Sequence, residues 1–453
     1  MITTIDPATG AVLEHIAYMD PARVEAKLAA AARCAKSWGA LPFEGRAPLL
    51  RAVAARLREQ RDALAVTAVR EMGKPVVQAR AEIEKCAWSL EFFADHAAAM
   101  LEPEDVPSNA ARSYVAFRPL GVLLAVMPWN FPYWQVIRAA APALMAGNPM
   151  LLKHAANTTR CALEIERIFL ESGAPEGLFG TLLCGHDAIN ALVADPRVAA
   201  ITLTGSEGAG IAVARAAGES LKKCVLELGG SDPFVVFGDA DVDAAAKTAV
   251  FARFQNNGES CIAAKRFIVE EGVYDRFLDR FVAGTRAQVV GNPLEERVQI
   301  GPCARGDLRE ELHKQVADTI ARGATPALGG APLEGAGFFY EPTIVGDVLP
   351  GMRMFEEEVF GPAAAVVRAR DREHALELAN ASPYGLGSSL WTGDTQAAQQ
   401  FAARVEAGAV FVNGMVASDP RLPFGGVKRS GYGRELSAFG IREFTNVQTV
   451  WIA

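Results

Sequence analysis

One cysteine stands where its thiol could be exposed to a bound molecule. In the segment FQNNGESCIAAKR, Cys261 lies in a glycine-containing turn between a predicted helix and an apolar strand, and such turns present side chains to clefts. A thiolate in a cleft is a strong nucleophile. Because most cysteines at the start of a strand are small buried residues, the segment alone leaves both interpretations open.

A carboxylate and an amide occupy two other strand ends. Glu227 in CVLELGGSDP follows an apolar strand and precedes two glycines, so it either faces a cavity, where it could serve as a base, or lies on the surface. Asn130 in VMPWNFPYW follows an earlier apolar strand. It could cap a helix that begins at the next proline, or its amide could donate a hydrogen bond to an oxyanion. The three residues are thus candidates for a nucleophile, a base and an oxyanion donor.

The elements that must position these residues are typical of an α/β protein. Residues 21–100 are rich in alanine, with apolar residues at helical spacing, and should form a helical scaffold. From residue 122 to residue 227, short apolar runs alternate with helical segments, which predicts a doubly wound parallel sheet that binds nucleotides at its carboxyl edge. The alternation resumes with PFVVF after Gly230, so we expect a second such sheet, with a hinge over residues 227–230.

Two further segments have the pattern of strands without partners. SYVAFRPLG and REFTNVQTVWIA both alternate like half-buried strands, as antiparallel strands with one solvated face do. Neither has an obvious partner within its own unit. This suggests that they pair across subunits.

The composition excludes several classes of function. A chain of 453 residues, 50% hydrophobic and 22% charged, is too long for one hydrophobic core. A net charge of −8 provides no basic surface for nucleic acid or an anionic membrane. The start, MITTIDPATGAVLE, lacks signal-peptide features, and no run approaches the ~18 apolar residues of a membrane span, so we expect a cytoplasmic protein. Seven scattered cysteines without a C-x-x-C pair indicate neither disulfides nor a metal site.

Five motifs in a fixed order resemble those of the aldehyde dehydrogenase superfamily, and within it the shorter succinate-semialdehyde dehydrogenases. They are PWNFP, ELGGSDP, NNGESCIAAKR, EEVFGP and PFGGVKRSGYGRE, and their combination is far more specific than any one of them. The resemblance implies a homodimer or homotetramer. It also implies a dinucleotide-binding domain over 1–111 and 122–228, a catalytic domain over 229–431, and an oligomerisation element over 112–121 and 432–453.

The resemblance assigns a role to each of the three candidates. Cys261 matches the family's nucleophile, Glu227 its general base, and Asn130 its oxyanion donor beside the backbone amide of the cysteine. Attack of the thiolate on an aldehyde would give a thiohemiacetal, and transfer of hydride to a nicotinamide would leave a thioester. Water activated by Glu227 would then release the acid.

The cofactor contacts rest on the resemblance. TLTGSEGAG lacks the G-x-G-x-x-G fingerprint, and a generic strand-to-helix turn is the alternative. The residues implied at the cofactor are Trp129, Lys153, Ala156, Gly205, Ser206, Gly210, Leu228, Glu358 and Phe360. The two glycines and the serine would lie near the pyrophosphate at a helix N-terminus, and the glutamate at the nicotinamide ribose, although an acidic triplet can also be a solvated face.

The adenine end of the cofactor site favours NADP over NAD. Lys153 matches the family lysine at the adenine ribose, and Ala156 stands where members that prefer NAD commonly carry a glutamate. Without that carboxylate, a 2′-phosphate meets no repulsion and is still attracted by the lysine.

Two residues predict the class of substrate. Arg138 lies eight residues after Asn130, about two helical turns on the same face, so it would point into the tunnel to Cys261. Its planar guanidinium suits a distal carboxylate, and Ser418 matches the opposite tunnel wall. Succinic semialdehyde fits this pair.

Other interpretations remain open at this point. Arg138 could form a surface salt bridge and Ser418 could be an ordinary loop residue. The substrate could be another short aldehyde, such as glutarate semialdehyde or a small aliphatic aldehyde, or the chain could be a catalytically idle relative. A coenzyme A-acylating enzyme is disfavoured, because its chemistry does not need a water-activating residue such as Glu227.

Overall fold

The N-terminal region forms two short strands and four helices. A computed structural model describes all of residues 1–453. The antiparallel strands are β1 (Ile2–Ile5) and β2 (Val12–Ile16), and the helices are α1 (Pro21–Ala40), α2 (Phe43–Glu59), α3 (Arg61–Met72) and α4 (Val76–Met100). The helical scaffold is where the sequence predicts it. The two strands before it were not predicted.

The first parallel sheet follows. Its part of the chain contains β3 (Glu104–Asp105), β4 (Arg112–Pro119), β5 (Val122–Met127), α5 (Trp134–Met145), β6 (Met150–His154), α6 (Thr159–Glu171), β7 (Phe179–Thr181), α7 (Ala188–Ala194), β8 (Val198–Thr204), α8 (Glu207–Glu219) and β9 (Lys223–Glu227). The parallel strands lie in the order β9-β8-β5-β6-β7. Alternate residues of β5 pack into two different hydrophobic clusters, so its continuous apolar run reflects burial on both faces.

The second sheet is built from the part of the chain that follows Gly229 and Gly230. The elements are β10 (Asp232–Val236), α9 (Val242–Phe254), β11 (Ala264–Glu270), α10 (Glu271–Arg286), α11 (Gly306–Ala321), β12 (Thr325–Leu328), β13 (Thr343–Gly346), α12 (Arg353–Glu356), β14 (Ala363–Ala369), α13 (Arg372–Asn380), β15 (Tyr384–Gly385), β16 (Gly387–Trp391), α14 (Thr395–Ala402) and β17 (Ala409–Val412). The strand order is β12-β13-β14-β11-β10-β16-β17, and only β12 runs antiparallel. The predicted α/β architecture with two doubly wound sheets is confirmed.

The C-terminal segment returns to the other units. It contains β18 (Val427–Lys428), β19 (Gly431–Tyr432), α15 (Ser437–Glu443) and β20 (Thr445–Ile452). Strand β19 pairs with β9 at the edge of the first sheet, β18 pairs with β15, and β20 forms a small antiparallel sheet with β4 and β3. The two strands for which the sequence showed no partner therefore pair with each other within one chain, and not with another subunit as predicted. No helix has both the length and the apolar character needed to cross a membrane.

Candidate active site

A cavity of about 200 Å³ opens onto Cys261 between the two sheet units. Its walls come from α4, the start of α5, the loop before β11 and the loop after β17. Among the lining residues are Lys85, Phe131, Trp134, Arg138, Cys261, Ser418 and Phe424. Three residues predicted from the sequence, Cys261, Arg138 and Ser418, thus share one cavity.

The loop that carries Cys261 is held by side-chain amides and a lysine. Asn256 and Asn257 have φ angles of 54° and 60°, a left-handed conformation that asparagine tolerates better than most residues. The Asn256 amide donates to the carbonyl oxygens of Asn130 and Glu259, both at 2.9 Å. Lys265 Nζ donates to the Cys261 carbonyl at 2.8 Å. These bonds hold the cysteine backbone in one position at the cavity wall.

The thiol of Cys261 needs help to ionise. Burial raises the pKa of Cys261 to about 11, although the positive charges of Arg138 and Lys265 act to lower it. At neutral pH the thiol is therefore protonated, and a base must accept its proton before the sulfur can attack.

Asn130 lies behind this loop and does not cap a helix. Its side chain is 4% exposed and its amide donates to the Glu259 carbonyl at 3.2 Å. Helix α5 begins only at Trp134, and Glu82 Oε1 accepts from the amides of Tyr133 and Trp134 at 2.9 and 2.8 Å. The helix-cap interpretation is therefore wrong, because a glutamate from α4 fills that role.

Glu227 is the last residue of β9 and is fully enclosed. Its exposed fraction is 2%, and neither carboxylate oxygen has a hydrogen-bond partner. Burial and the negative charge of Glu435 raise its pKa well above 4.5, while Arg138 and Arg434 lower it. The surface interpretation is wrong. A buried carboxylate without partners is costly to maintain, and such groups cluster at functional sites.

Arg138 has a partner within the protein that the sequence did not suggest. Its Nε forms an ion pair with Glu435, and the two side chains expose only 2% and 0% of their surface. Its Nη2 donates to Thr204 Oγ1 at 3.2 Å, and the guanidinium lies 4.7 Å from the centre of the Phe424 ring. Arg138 does form a salt bridge, but the pair is buried, so the interpretation of Arg138 as part of a surface salt bridge is wrong. The helix-face argument also fails, because Asn130 precedes α5.

A second cation, Lys85, faces the same cavity and was missed. Its Nζ donates to Ser418 Oγ at 2.7 Å and lies 4.5 Å from the centre of the Trp134 ring. Burial and the nearby Arg138 lower the pKa of Lys85 to about 8. In the sequence it is one lysine in a long helix, which looks like part of a solvated face.

The residues predicted near the pyrophosphate lie at the start of α8. Ser206 caps this helix by accepting from the amide of Ala209, and the Gly205 amide donates to the Glu227 carbonyl at 3.0 Å. A Cβ on Gly210 would lie 2.6 Å from Leu228 Cδ2. Glycine at 210 thus lets Leu228 pack against the helix start, beside amides that suit an anion.

The residues predicted near the nicotinamide lie beside the Cys261 loop. Glu358 Oε1 accepts from the Gly230 amide at 3.0 Å and lies 3.6 Å from Lys265 Nζ. The rings of Trp129 and Phe360 meet edge to face with centroids 5.7 Å apart. The acidic-surface interpretation of Glu358 does not hold, since its carboxylate points at backbone amide and ammonium groups.

Lys153 and Ala156 line a separate small cavity beyond the end of β6. His186 and Cys184 lie in the same walls. Burial lowers the pKa of Lys153, and the charge of Lys153 lowers the pKa of His186. One lysine and two histidines line this cavity and no carboxylate does, which makes it suitable for an anionic group.

Comparisons with known proteins identify the family of the chain. Residues 1–450 match the aldehyde dehydrogenase family. The chain is 49% identical over 448 residues to an NAD(P)+ succinate semialdehyde dehydrogenase of Escherichia coli (strain K12), covering 99% of this chain and 97% of the relative. It is 50% identical over 455 residues to an NADP(+) succinate-semialdehyde dehydrogenase of Mycobacterium avium (strain 104), covering 100% and 96%. The crystal structure of succinic semialdehyde dehydrogenase from Streptococcus pyogenes in complex with NADP+ superimposes with a TM-score of 0.97 at 36% identity, covering both chains fully.

Proposed function

Since the chain belongs to the aldehyde dehydrogenase family, we propose that it oxidises succinic semialdehyde to succinate with NADP or NAD as hydride acceptor. One observation carries the choice of substrate. The cavity that contains the thiol of Cys261 is also lined by Lys85, Arg138 and Ser418. A molecule with an aldehyde at one end and a carboxylate at the other matches a nucleophile and a positively charged wall in one small space.

The first chemical step forms a bond between Cys261 Sγ and the aldehyde carbon. The thiol proton passes to solvent, a loss favoured by the positive charges of Arg138 and Lys265, and the aldehyde oxygen becomes an oxyanion. The side-chain amide of Asn130 has two N–H groups, of which the Glu259 carbonyl occupies one. The other, with the backbone amide of Cys261, stabilises the oxyanion.

When bound, the nicotinamide cofactor would supply the hydride acceptor for oxidation of the thiohemiacetal carbon. The residues that would hold it lie at the start of α8 and beside the Cys261 loop: Gly205, Ser206, Gly210, Leu228, Trp129, Glu358 and Phe360. The loss of hydride leaves a thioester on Cys261. The protein's part is to hold the reacting carbon beside the cofactor and to exclude bulk water.

Glu227 then serves hydrolysis. It takes a proton from water, whose oxygen attacks the thioester carbon, and the carbon–sulfur bond breaks to release the acid and the thiolate. A carboxylate whose pKa is raised by burial and by Glu435 is a stronger base than an exposed one, which suits it to take a proton from water.

NADP is the preferred cofactor in this proposal. Lys153 and His186 line the cavity in which Ala156 replaces an acidic side chain. A 2′-phosphate would meet positive potential there. The relative from Mycobacterium avium is named for NADP(+), and the relative from Escherichia coli for NAD(P)+.

The small sheet supports a homodimer or homotetramer. Strand β20 lies at its edge, so its outer backbone groups are free to pair with another chain. The strand also exposes Val447, Trp451 and Ile452, at 60%, 53% and 48% of their surface. An edge strand with exposed apolar side chains suits a contact between subunits.

Initial rates over a panel of aldehydes, each with NADP and NAD, test this function. We expect the highest kcat/KM for succinic semialdehyde with NADP, lower values for glutarate semialdehyde, and much lower values for butanal. A preference for butanal would contradict the substrate assignment. No turnover of any aldehyde would support a catalytically idle relative, and an acyl-coenzyme A product in the presence of coenzyme A would contradict hydrolysis by Glu227.

A further inference from the structure

Lys85 is a cation of the active-site cavity that has no acidic partner. Its ammonium group donates to the hydroxyl of Ser418 and packs over the face of Trp134, but it forms no ion pair with a carboxylate of the chain. A lysine ammonium has three donors, so two remain available. The group lines the same cavity as the reactive cysteine.

The other charges around Lys85 are already balanced. Arg138 is paired with Glu435. Glu82, from the preceding turn of α4, is paired with the buried Lys74 and accepts two backbone amides of the α5 start.

The remaining neighbouring acid is also engaged. Asp419 accepts from Arg421 Nε and Nη2 at 2.9 and 2.6 Å, in a loop segment outside the cavity walls. Once these pairs are subtracted, the cavity keeps one uncompensated positive charge, and Lys85 carries it.

We propose that Lys85, together with Ser418, is the specificity-determining group that holds the distal carboxylate of the substrate. This inference rests on the proposed function and deepens it. The ammonium supplies the charge, and because Ser418 Oγ accepts from Lys85, its own hydroxyl proton is free to donate to the same carboxylate. Arg138 lines the same cavity, but its charge is shared with Glu435 and its Nη2 donates to Thr204, so Lys85 is the cation without an acidic partner.

The geometry explains why a lysine suits this position. Trp134 and Phe131 contribute apolar surface to the cavity, and an ammonium over an aromatic face is stabilised without an acid beside it. The low dielectric of such a wall strengthens attraction to an incoming carboxylate. The charge does not strengthen binding of a neutral aldehyde, so Lys85 makes the enzyme discriminate between substrates with a carboxylate and neutral ones.

The test compares Lys85→Met, Lys85→Gln and Lys85→Arg with the unchanged enzyme on succinic semialdehyde and on butanal. We expect both neutral variants to lose about ten- to a hundredfold in kcat/KM for succinic semialdehyde, mostly through KM, as when one charged partner of a hydrogen bond is removed. The kcat/KM for butanal should change less than about threefold, and Lys85→Arg should recover most of the kcat/KM lost for succinic semialdehyde. Lys314→Met, at an exposed lysine of α11, is the matched control for the loss of one positive charge and should leave both substrates unchanged.

A second measurement does not depend on turnover of the semialdehyde. Succinate should inhibit butanal oxidation by the unchanged enzyme, and the inhibition constant should rise about tenfold or more in Lys85→Met. If the unchanged enzyme does not prefer succinic semialdehyde over butanal, the proposed function itself fails. If that preference exists and the Lys85 variants lose kcat/KM equally for both substrates, or for neither, the carboxylate is held elsewhere and this inference is overturned. Should Lys85→Met not fold, the smaller polar change Lys85→Gln decides between these outcomes.

Discussion

Replacing Arg138 by methionine should destabilise the protein because it leaves Glu435 buried without its ion-pair partner. The remaining side-chain contact of Glu435 is Thr202 Oγ1, at 3.5 Å from Oε1, a long hydrogen bond. Removal of one partner from a buried ion pair costs about 3–5 kcal/mol. The unfolding entropy is about 2.1 cal/mol/K per residue, which for 453 residues gives roughly 1 kcal/mol/K if the chain unfolds as one unit. The thermal midpoint should therefore fall by about 3–5 °C.

The size of this loss should depend on pH. Burial raises the pKa of Glu435, and Arg138 lowers it, so the pKa rises further when the arginine is removed. A carboxylate whose pKa is higher in the folded state than in the unfolded state binds more protons when folded. Stability is then retained near and below the unfolded pKa of about 4.3 and is lost as pH rises towards the folded pKa. The deficit of Arg138→Met should be small at pH 5 and larger at pH 8.

The assay is the thermal midpoint of each variant relative to the unchanged protein at the same pH and protein concentration. Arg138→Met with Glu435→Gln is the matched control, because glutamine cannot ionise. Its deficit should be smaller than that of the single variant at pH 8 and should not change between the two pH values. Equal, pH-independent deficits in the single and double variants would refute the reasoning, since the loss would then reflect packing around Phe424 and not an unpaired carboxylate.

The fold could be predicted from the sequence where burial on both sides of a sheet imposes a continuous apolar run. Strand β5 is such a case, and its residues Val122 to Met127 are almost all buried. Strand β19 could not be found in this way. It consists of only Gly431 and Tyr432, and its pairing with β9 depends on a contact between residues about 200 positions apart, as the Gly431–Glu227 register shows. A two-residue strand has no periodicity to detect.

The reacting residues could be predicted because they sit in motifs, whereas their partners could not. Cys261 and Glu227 are recognisable from the segments around them. Lys85 and Ser418 are 333 positions apart, and Arg138 and Glu435 are 297 apart (435 minus 138). No spacing rule connects residues at such separations, since only the folded sheet edges bring them together.

Sequence spacing also failed to explain the position of Arg138. It assumed that Asn130 and Arg138 share a helix, but the helix begins at Trp134 because Glu82 of α4 accepts the amides at that end. The arginine reaches the cavity for a different reason. It lies one turn after Trp134 on the face of α5 that packs towards Phe424.

Two further predictions concern the covalent chemistry. Cys261→Ala should abolish aldehyde oxidation while NADP still binds with nearly unchanged affinity, which titration of cofactor fluorescence would measure; substantial residual turnover would contradict the nucleophile assignment. Glu227→Gln should slow release of the acid more than the first hydride transfer, because the carboxylate is needed to activate water. Rapid mixing should then show a burst of reduced cofactor close to one per active site before a slow steady state. If Glu227→Gln leaves both phases unchanged, the buried carboxylate is structural, and the raised pKa that burial and Glu435 produce serves no step of catalysis.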